Sequence, residues 1–190
     1  DELAAACKRH KIHAVVGTLM YAENFLIALY DPARDTVRFI YFADRHDRLV
    51  PDADVETPAS EMRESVTLAM IRAGHAFRGP SAALRERFGL VKAAAYGPDS
   101  ADWLGVPMRR DSRISGAIVV QSYDRPALYS DEDRALLEYV AQHIQTALDR
   151  RYARVDLERR VDERTLELQQ ANLVLQAEIV ERQRAERLQR

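Results

Sequence analysis

Glycine and proline stop at one point in this chain. All seven glycines and all seven prolines fall at or before Pro126, and the 64 residues that follow contain neither. Both residue types punctuate turns and break helices. A chain of 190 residues with this distribution must place its tight turns in the first two thirds, and it can run as uninterrupted helix over the last. The start of that helix is written in YSDEDRALLEYVAQHI: Ser130 reads as the N-cap, Asp133 stands at the third helical position, and the acidic first turn complements the helix dipole. Continued to Arg190, such a helix measures about 85 Å at 1.5 Å per residue, longer than one domain needs.

Ahead of the boundary the pattern alternates helix and strand. Leu3 to about Ala22 predicts a helix, and Phe25 to Asp31 and Thr36 to Asp44 predict strands on either side of the turn-forming DPARD. Thr57 with Pro58 starts a second helix ending near Gly74, a short strand follows at His75 to Arg78, and Ser81 caps a short helix through Phe88. A second hairpin comes from ADWLGVPMRR, a tight turn at Asp111 to Arg113, and ISGAIVVQSYD. Gly105 and Pro107 interrupt the first of these strands and place it at an edge or a bulge, while Gly116 allows close backbone approach. The sum is an α+β layer architecture, one antiparallel sheet with helices from both ends of the domain against it. A hydrophobic fraction of 47% fills one such core, and the length leaves room for one domain and an appendage.

Composition removes several classes of function. With 28 basic against 30 acidic residues and a formal charge of −2, the chain has no nucleic-acid footprint. Its single cysteine, Cys7, excludes an internal disulfide, a two-cysteine redox pair and a cysteine-based zinc site, and it fits a reducing, cytoplasmic setting. The longest apolar runs, such as Ala117 to Val120, fall far short of the roughly 20 residues that span a bilayer, so no membrane segment is expected. A chain that opens on Asp1 and closes inside a helical pattern reads as a piece of a longer protein.

Three strings carry a family resemblance. NFLIALYDPARDTVRF resembles the first hairpin of a GAF domain, WLGVPMRR followed by SGAIVVQSY resembles the second, and YSDEDRALLEYVAQHIQTAL resembles the closing helix. Together they cover most of residues 20–150. The tail RVDERTLELQQANLVLQAEIVERQRAERLQ resembles the signalling-helix linkers that join sensory domains to diguanylate cyclase or histidine-kinase modules. The resemblance implies a GAF-type sensory domain over residues 1–149 and a coiled-coil linker to an output domain over residues 150–190. It also implies a small ligand between the sheet and its covering loops, commonly a cyclic nucleotide or a tetrapyrrole. The chain departs from both patterns: it has no NKxxF-type motif followed by an acidic pair and no loop cysteine for bilin attachment. Another small molecule is therefore the expected ligand, and no cofactor is expected.

The chemistry-bearing residues point the same way. His10, His13, His46, His75 and His143 show no HExxH or other metal spacing. His10 and His13 share a helix face, which reads as a solvated pair, so no metal site is expected. No GxSxG string is present. Some GAF-like proteins are methionine sulfoxide reductases that use cysteine, but Cys7 sits in the expected first helix and reads as a packed residue, so no catalytic residue is assigned. Pocket-lining candidates are the polar and aromatic strand residues Tyr41, Gln121 and Tyr123. Alternation puts Tyr41 on one face with Val37 and Phe39, and Gln121 and Tyr123 on one face with Ala117 and Val119. The competing reading makes all three core or strand-end residues with satisfied polar tips. Trp103 reads as a packing anchor.

The last third carries a seam. Val161, Thr165, Leu168, Asn172, Leu175 and Ile179 alternate four and three apart, as a left-handed coiled coil requires. Asn172 falls at an a position, where a buried polar residue specifies a parallel dimer in register. Counted backwards, the register passes Glu158, Arg154 and Arg151 and meets Ala147, Ile144, Val140 and Leu137. Over the polar gap Leu148, Tyr152 and Val155 follow a register displaced by one residue, which reappears at Leu166, Leu173 and Val180. That displacement is a rotation of about 100°, which makes the second stripe either the alternative seam of a switch or a face packed on a neighbouring domain. The expected function is a non-catalytic sensor in a dimeric cytoplasmic signalling protein, relaying ligand or partner binding to an output domain. A diguanylate cyclase is the first expectation for that output. The alternatives are the sensor module of a histidine kinase or a ligand-free structural dimerisation module.

Overall fold

The computed structural model describes residues 16–46, 51–92 and 97–188. Cys7, His10, His13 and most of the expected first helix lie outside these residues, although residues 16–19 are helical as expected.

The first hairpin is β1 (Asn24–Asp31) and β2 (Thr36–Ala43). Its turn is held by Asp31, whose Oδ1 accepts from the N–H groups of Ala33 at 2.8 Å and Arg34 at 3.3 Å, the Asx-turn use of an aspartate. The second hairpin is β5 (Asp102–Arg110) and β6 (Arg113–Ser122), joined by two residues of which Asp111 has a φ of 55°. With β3 (Thr57–Pro58) and β4 (Phe77–Gly79) these strands make one antiparallel sheet in the order β3-β2-β1-β6-β5-β4. Pro107 lies on β5 beyond the stretch that β4 covers, and a bulge follows it between Met108 and Arg109, so the edge-or-bulge reading of β5 holds. A Cβ at Gly116 would run into the carbonyl oxygen of Ala28, and one at Gly105 would overlap the Trp103 ring. Close approach thus dictates glycine at both positions.

Two helix starts differ from the sequence reading. Thr57 and Pro58 do not open a helix; they pair with Thr36 and Val37 at the sheet edge, where a proline lacking its N–H is tolerated. A 3-10 turn over Ala59–Met62 follows, and α1 (Val66–Ala73) begins only after Ser65, whose side chain accepts from the Leu68 N–H. Gly74, with a φ of 73°, ends α1 where the sequence placed the stop. Before α2 (Ser81–Phe88) the cap position belongs to Pro80, and no side chain caps it. Ser81 is instead the first helical residue, its hydroxyl turned to Asp99 and the Ser100 N–H.

The final helix, α3 (Asp131–Leu188), runs 58 residues without interruption. Its start is a reciprocal capping box: the Asp133 N–H donates to Ser130 Oγ at 3.1 Å, and the Ser130 N–H donates to Asp133 Oδ2 at 2.8 Å.

The sheet has two buried faces. On one, Leu26, Ala28, Val37, Phe39, Phe77, Trp103, Ala117 and Val119 pack with Met62 of the 3-10 turn, Leu68, Met70 and Ile71 of α1 and Leu84 of α2. On the other, Phe25, Ile27, Leu104, Val106, Met108, Ile118 and Val120 are buried. The Ser115 hydroxyl, on the extra residue of the β6 bulge, donates to Gln145 of α3 at 2.6 Å and marks this as the face α3 covers.

The chain divides into two compact units, Asp1–Gln145 and Thr146–Arg190. In the first, α3 buries Leu137, Ala141 and Ile144, a row at helical spacing. Leu137 (0% exposed) and Ile144 (9%) are therefore core residues of the domain and not seam residues open to a partner; Val140 beside them is half-buried. In the second unit Val161, Leu168, Asn172, Leu175 and Ile179 are all exposed. So are Tyr152, Val155, Leu166 and Leu173 of the displaced register.

Candidate functional site

Of the three candidate pocket residues, the sheet brings two together and separates the third. β1 and β2 slip register at Ile27/Ala28, where Ala28 pairs with Phe39 and Ile27 with Tyr41, leaving Ile40 as an extra residue. A bulge reverses the alternation beyond it. Tyr41 therefore faces away from Val37 and Phe39 and sets its ring against Phe25, with centroids 5.4 Å apart, on the face that α3 covers. Burial pushes its phenol pKa up. The expectation that Tyr41 shares a face with Val37 and Phe39 fails for that reason.

Gln121 and Tyr123 meet at the exit of β6, on the face packed by α1 and α2. They converge on a residue that the sequence reading passed over, Asp44, just past the end of β2. Asp44 Oδ2 accepts from Gln121 Nε2 at 2.5 Å and from the Tyr123 hydroxyl at 2.8 Å, and Gln121 Nε2 also reaches the Tyr123 oxygen at 3.0 Å. Asp44 Oδ1 accepts the His46 N–H at 2.8 Å, and the His46 ring stands edge-on to Tyr123 at 4.3 Å. Beneath the cluster, buried Asn24 ties the strands: its Nδ2 donates to the Gln121 carbonyl at 3.0 Å and its Oδ1 accepts from the Arg45 N–H at 2.8 Å. On the same face Leu26, Phe39 and Phe42 remain half-buried, the two phenylalanine rings edge-to-face at 5.8 Å. The arrangement is a mutually hydrogen-bonded polar rim beside an aromatic floor.

The rest of this face is filled. Trp103, paired with Gln121 across β5 and β6, is 3% exposed and packs among Val66, Met70, Phe77, Leu84 and Val119, as an anchor should. Asp44 could have been found from its position: a carboxylate two residues beyond Phe42 on an alternating strand falls on the phenylalanine's face.

A second polar cluster ties α2 to the segment before β5. Asp99 Oδ1 accepts from the Ser81 hydroxyl at 3.3 Å and from Arg85 Nη2, Asp99 Oδ2 pairs with Lys92 Nζ at 3.0 Å, and Ser81 Oγ accepts the Ser100 N–H at 2.9 Å. The Arg85 guanidinium holds the Asp99 carboxyl below the usual carboxylate range, with Lys92 adding to it against the opposing effect of burial. Separately, an open depression beside the start of α3 is lined by Arg78, Asp102, Tyr129 and Glu132. Among the described residues no group of His, Cys, Asp and Glu is placed to hold a metal ion, and no helix is long and apolar enough to cross a membrane.

Residues 12–149 match the family model described as the GAF domain. The chain belongs to the GAF domain family. Solved structures agree with the fold at low identity. The GAF domain of an Acinetobacter phosphoenolpyruvate-protein phosphotransferase superposes with a TM-score of 0.56 at 17% identity, covering 75% of this chain and 80% of that one. The type II free methionine-R-sulfoxide reductase of Thermoplasma acidophilum gives 0.53 at 15% identity, with coverage of 75% and 92%. The GAF domain of a two-component sensor histidine kinase from Bacillus halodurans gives 0.54 at 10% identity, with coverage of 76% and 92%. No curated protein matches the chain.

Proposed function

We propose that this GAF domain is the sensory module of a dimeric cytoplasmic signalling protein, and that α3 relays its state through a parallel coiled coil to an output domain. The observation that carries the reading is the row Val161, Leu168, Leu175 and Ile179 on the uninterrupted helix. Each is more than half exposed in the single chain, and removing that apolar surface from water favours a dimer. Exposed Asn172 within the row supports a parallel, in-register pair. Residues 150–190 form the linker in this reading, and the ligand, a small molecule, sits at Asp44, Gln121 and Tyr123. A diguanylate cyclase is the output proposed from the sequence of the tail. A histidine kinase is the alternative, supported by the Bacillus halodurans protein whose GAF domain shares this fold.

The test is disulfide trapping. Leu168→Cys and Leu175→Cys, each made singly in a Cys7→Ser background, both meet their own copies only in a parallel, in-register pair, so air oxidation is expected to give a covalent dimer at each. A cross-link absent at residue 168 or 175 under conditions where the protein is dimeric contradicts the register. One observation favours a second reading, a ligand-free structural module: Trp103 and its neighbours fill the space between the sheet and α1. That version predicts that Gln121→Ala with Tyr123→Phe leaves output activity and its response to every stimulus unchanged.

A further inference from the structure

The cluster around Arg85 contains more donors than its acceptors satisfy. Arg85 is 9% exposed and Ser100 3%. Arg85 Nε and Ser100 Oγ are both buried without a hydrogen-bond partner, although Arg85 Nη2 and the Ser100 N–H are both engaged. A buried unpaired polar group costs about 1–3 kcal/mol and points to a missing acceptor. A guanidinium presents Nε and Nη2 as a fork matched to the two oxygens of one carboxylate. Here the fork is half used: Asp99 engages Nη2, turns its other oxygen to Lys92, and leaves Nε unmatched. Two cations, Arg85 and Lys92, face the single carboxylate of Asp99.

We propose that Ser81, Arg85, Lys92 and Ser100 form a binding site for the carboxylate of a small molecule, which Asp99 occupies as a built-in competitor. That a carboxylate fits is shown by Asp99 itself, which takes hydrogen bonds from Ser81, Arg85 and Lys92. An incoming carboxylate that engages both Nε and Nη2 satisfies the orphaned donor and displaces Asp99. Because Asp99 and Ser100 lead directly into Asp102 and Trp103 of β5, the exchange shifts the segment that enters the sheet beside Gln121, the partner of Trp103. The inference goes beyond the sensory reading by adding a site apart from Asp44, Gln121 and Tyr123, and it rests on that reading only for the downstream consequence; binding stands or falls by itself.

The experiment is calorimetric titration of the chain with acetate at constant ionic strength, using wild type, Asp99→Asn, and Asp99→Asn combined with Arg85→Gln, a neutral pair that preserves shape. Releasing one charge-assisted hydrogen bond from competition is expected to make Asp99→Asn bind acetate about tenfold more tightly than wild type, and the double variant is expected to lose the gain. Equal affinities of wild type and Asp99→Asn, or a gain that survives Arg85→Gln, overturn the proposal. Should Asp99→Asn fail to fold, the thermal midpoint decides. Acetate exchanged for chloride is expected to raise the midpoint of wild type more than that of Lys92→Gln, a half-exposed position, and equal shifts overturn the site.

Discussion

At Gly116 the missing side chain is the function of the residue. A Cβ there meets the Ala28 carbonyl oxygen, which is backbone and cannot swing aside, and the Met108 methyl, which can move. Gly116→Ala is therefore expected to destabilise the domain by about 1–3 kcal/mol, the cost of overpacking a filled core, measured by urea denaturation; a change below a few tenths would show that β1 and β6 can part freely. Asp99 gives the corresponding electrostatic prediction. Its folded-state pKa is depressed by Arg85, so its stabilising contribution is fully present above the unfolded carboxylate value of about 3.9 and is lost as pH falls through the lower folded value. Asp99→Asn should flatten the acid limb of the stability profile below about pH 4, and a limb identical to wild type would remove Asp99 from it. The side of the sheet on which Gln121 lies was legible because alternation runs unbroken along β6 from Gly116 to Gln121, past the bulge at Ser115. Tyr41 was not, because one extra residue at Ile40, invisible in the hydrophobic pattern, turns every residue after it to the opposite face.

Elements were readable where a local rule decides and obscure where a tertiary partner does. The Ser130 cap, the DPARD turn and the Gly74 stop are satisfied within a few residues of sequence, and each was placed correctly. Thr57 and Pro58 resemble a helix start, yet they join the sheet because the edge of β2 offers unpaired groups, a fact about residues twenty positions away. The same distinction divides α3. Leu137 and Ile144 fit the heptad arithmetic, but the domain's own sheet claims them first. The row Leu137, Ala141 and Ile144 continues at helical spacing through half-buried Leu148 to Tyr152 and Val155. Substitution separates the roles: Leu137→Ala should cost about 2–5 kcal/mol of domain stability, as buried leucines do, whereas Leu168→Ala should leave the domain's unfolding midpoint unchanged. Equal losses at both positions would deny the division. Ser130→Ala should cost about 1 kcal/mol through the lost cap, visible as a lower thermal midpoint.

At the scale of the whole molecule, a GAF domain is followed by a helix that carries an exposed apolar row; in the proposed function the domain's sheet binds the ligand and the helix relays its state. The exposed leucines and valines of residues 161–179 leave a stripe that water tolerates poorly, and in the proposed function an identical helix covers it in register. Asn172 is exposed within it, and in that proposal it selects the parallel arrangement. The measurement that bears most directly on this account is the solution mass of the chain by light scattering, alongside the pair Leu168→Lys and Leu175→Lys. The account predicts twice the monomer mass for the wild-type chain and the monomer mass for the double substitution, with unchanged domain folding in both. A wild-type chain that is monomeric at every concentration, or a dimer that the two lysines leave intact, would contradict it.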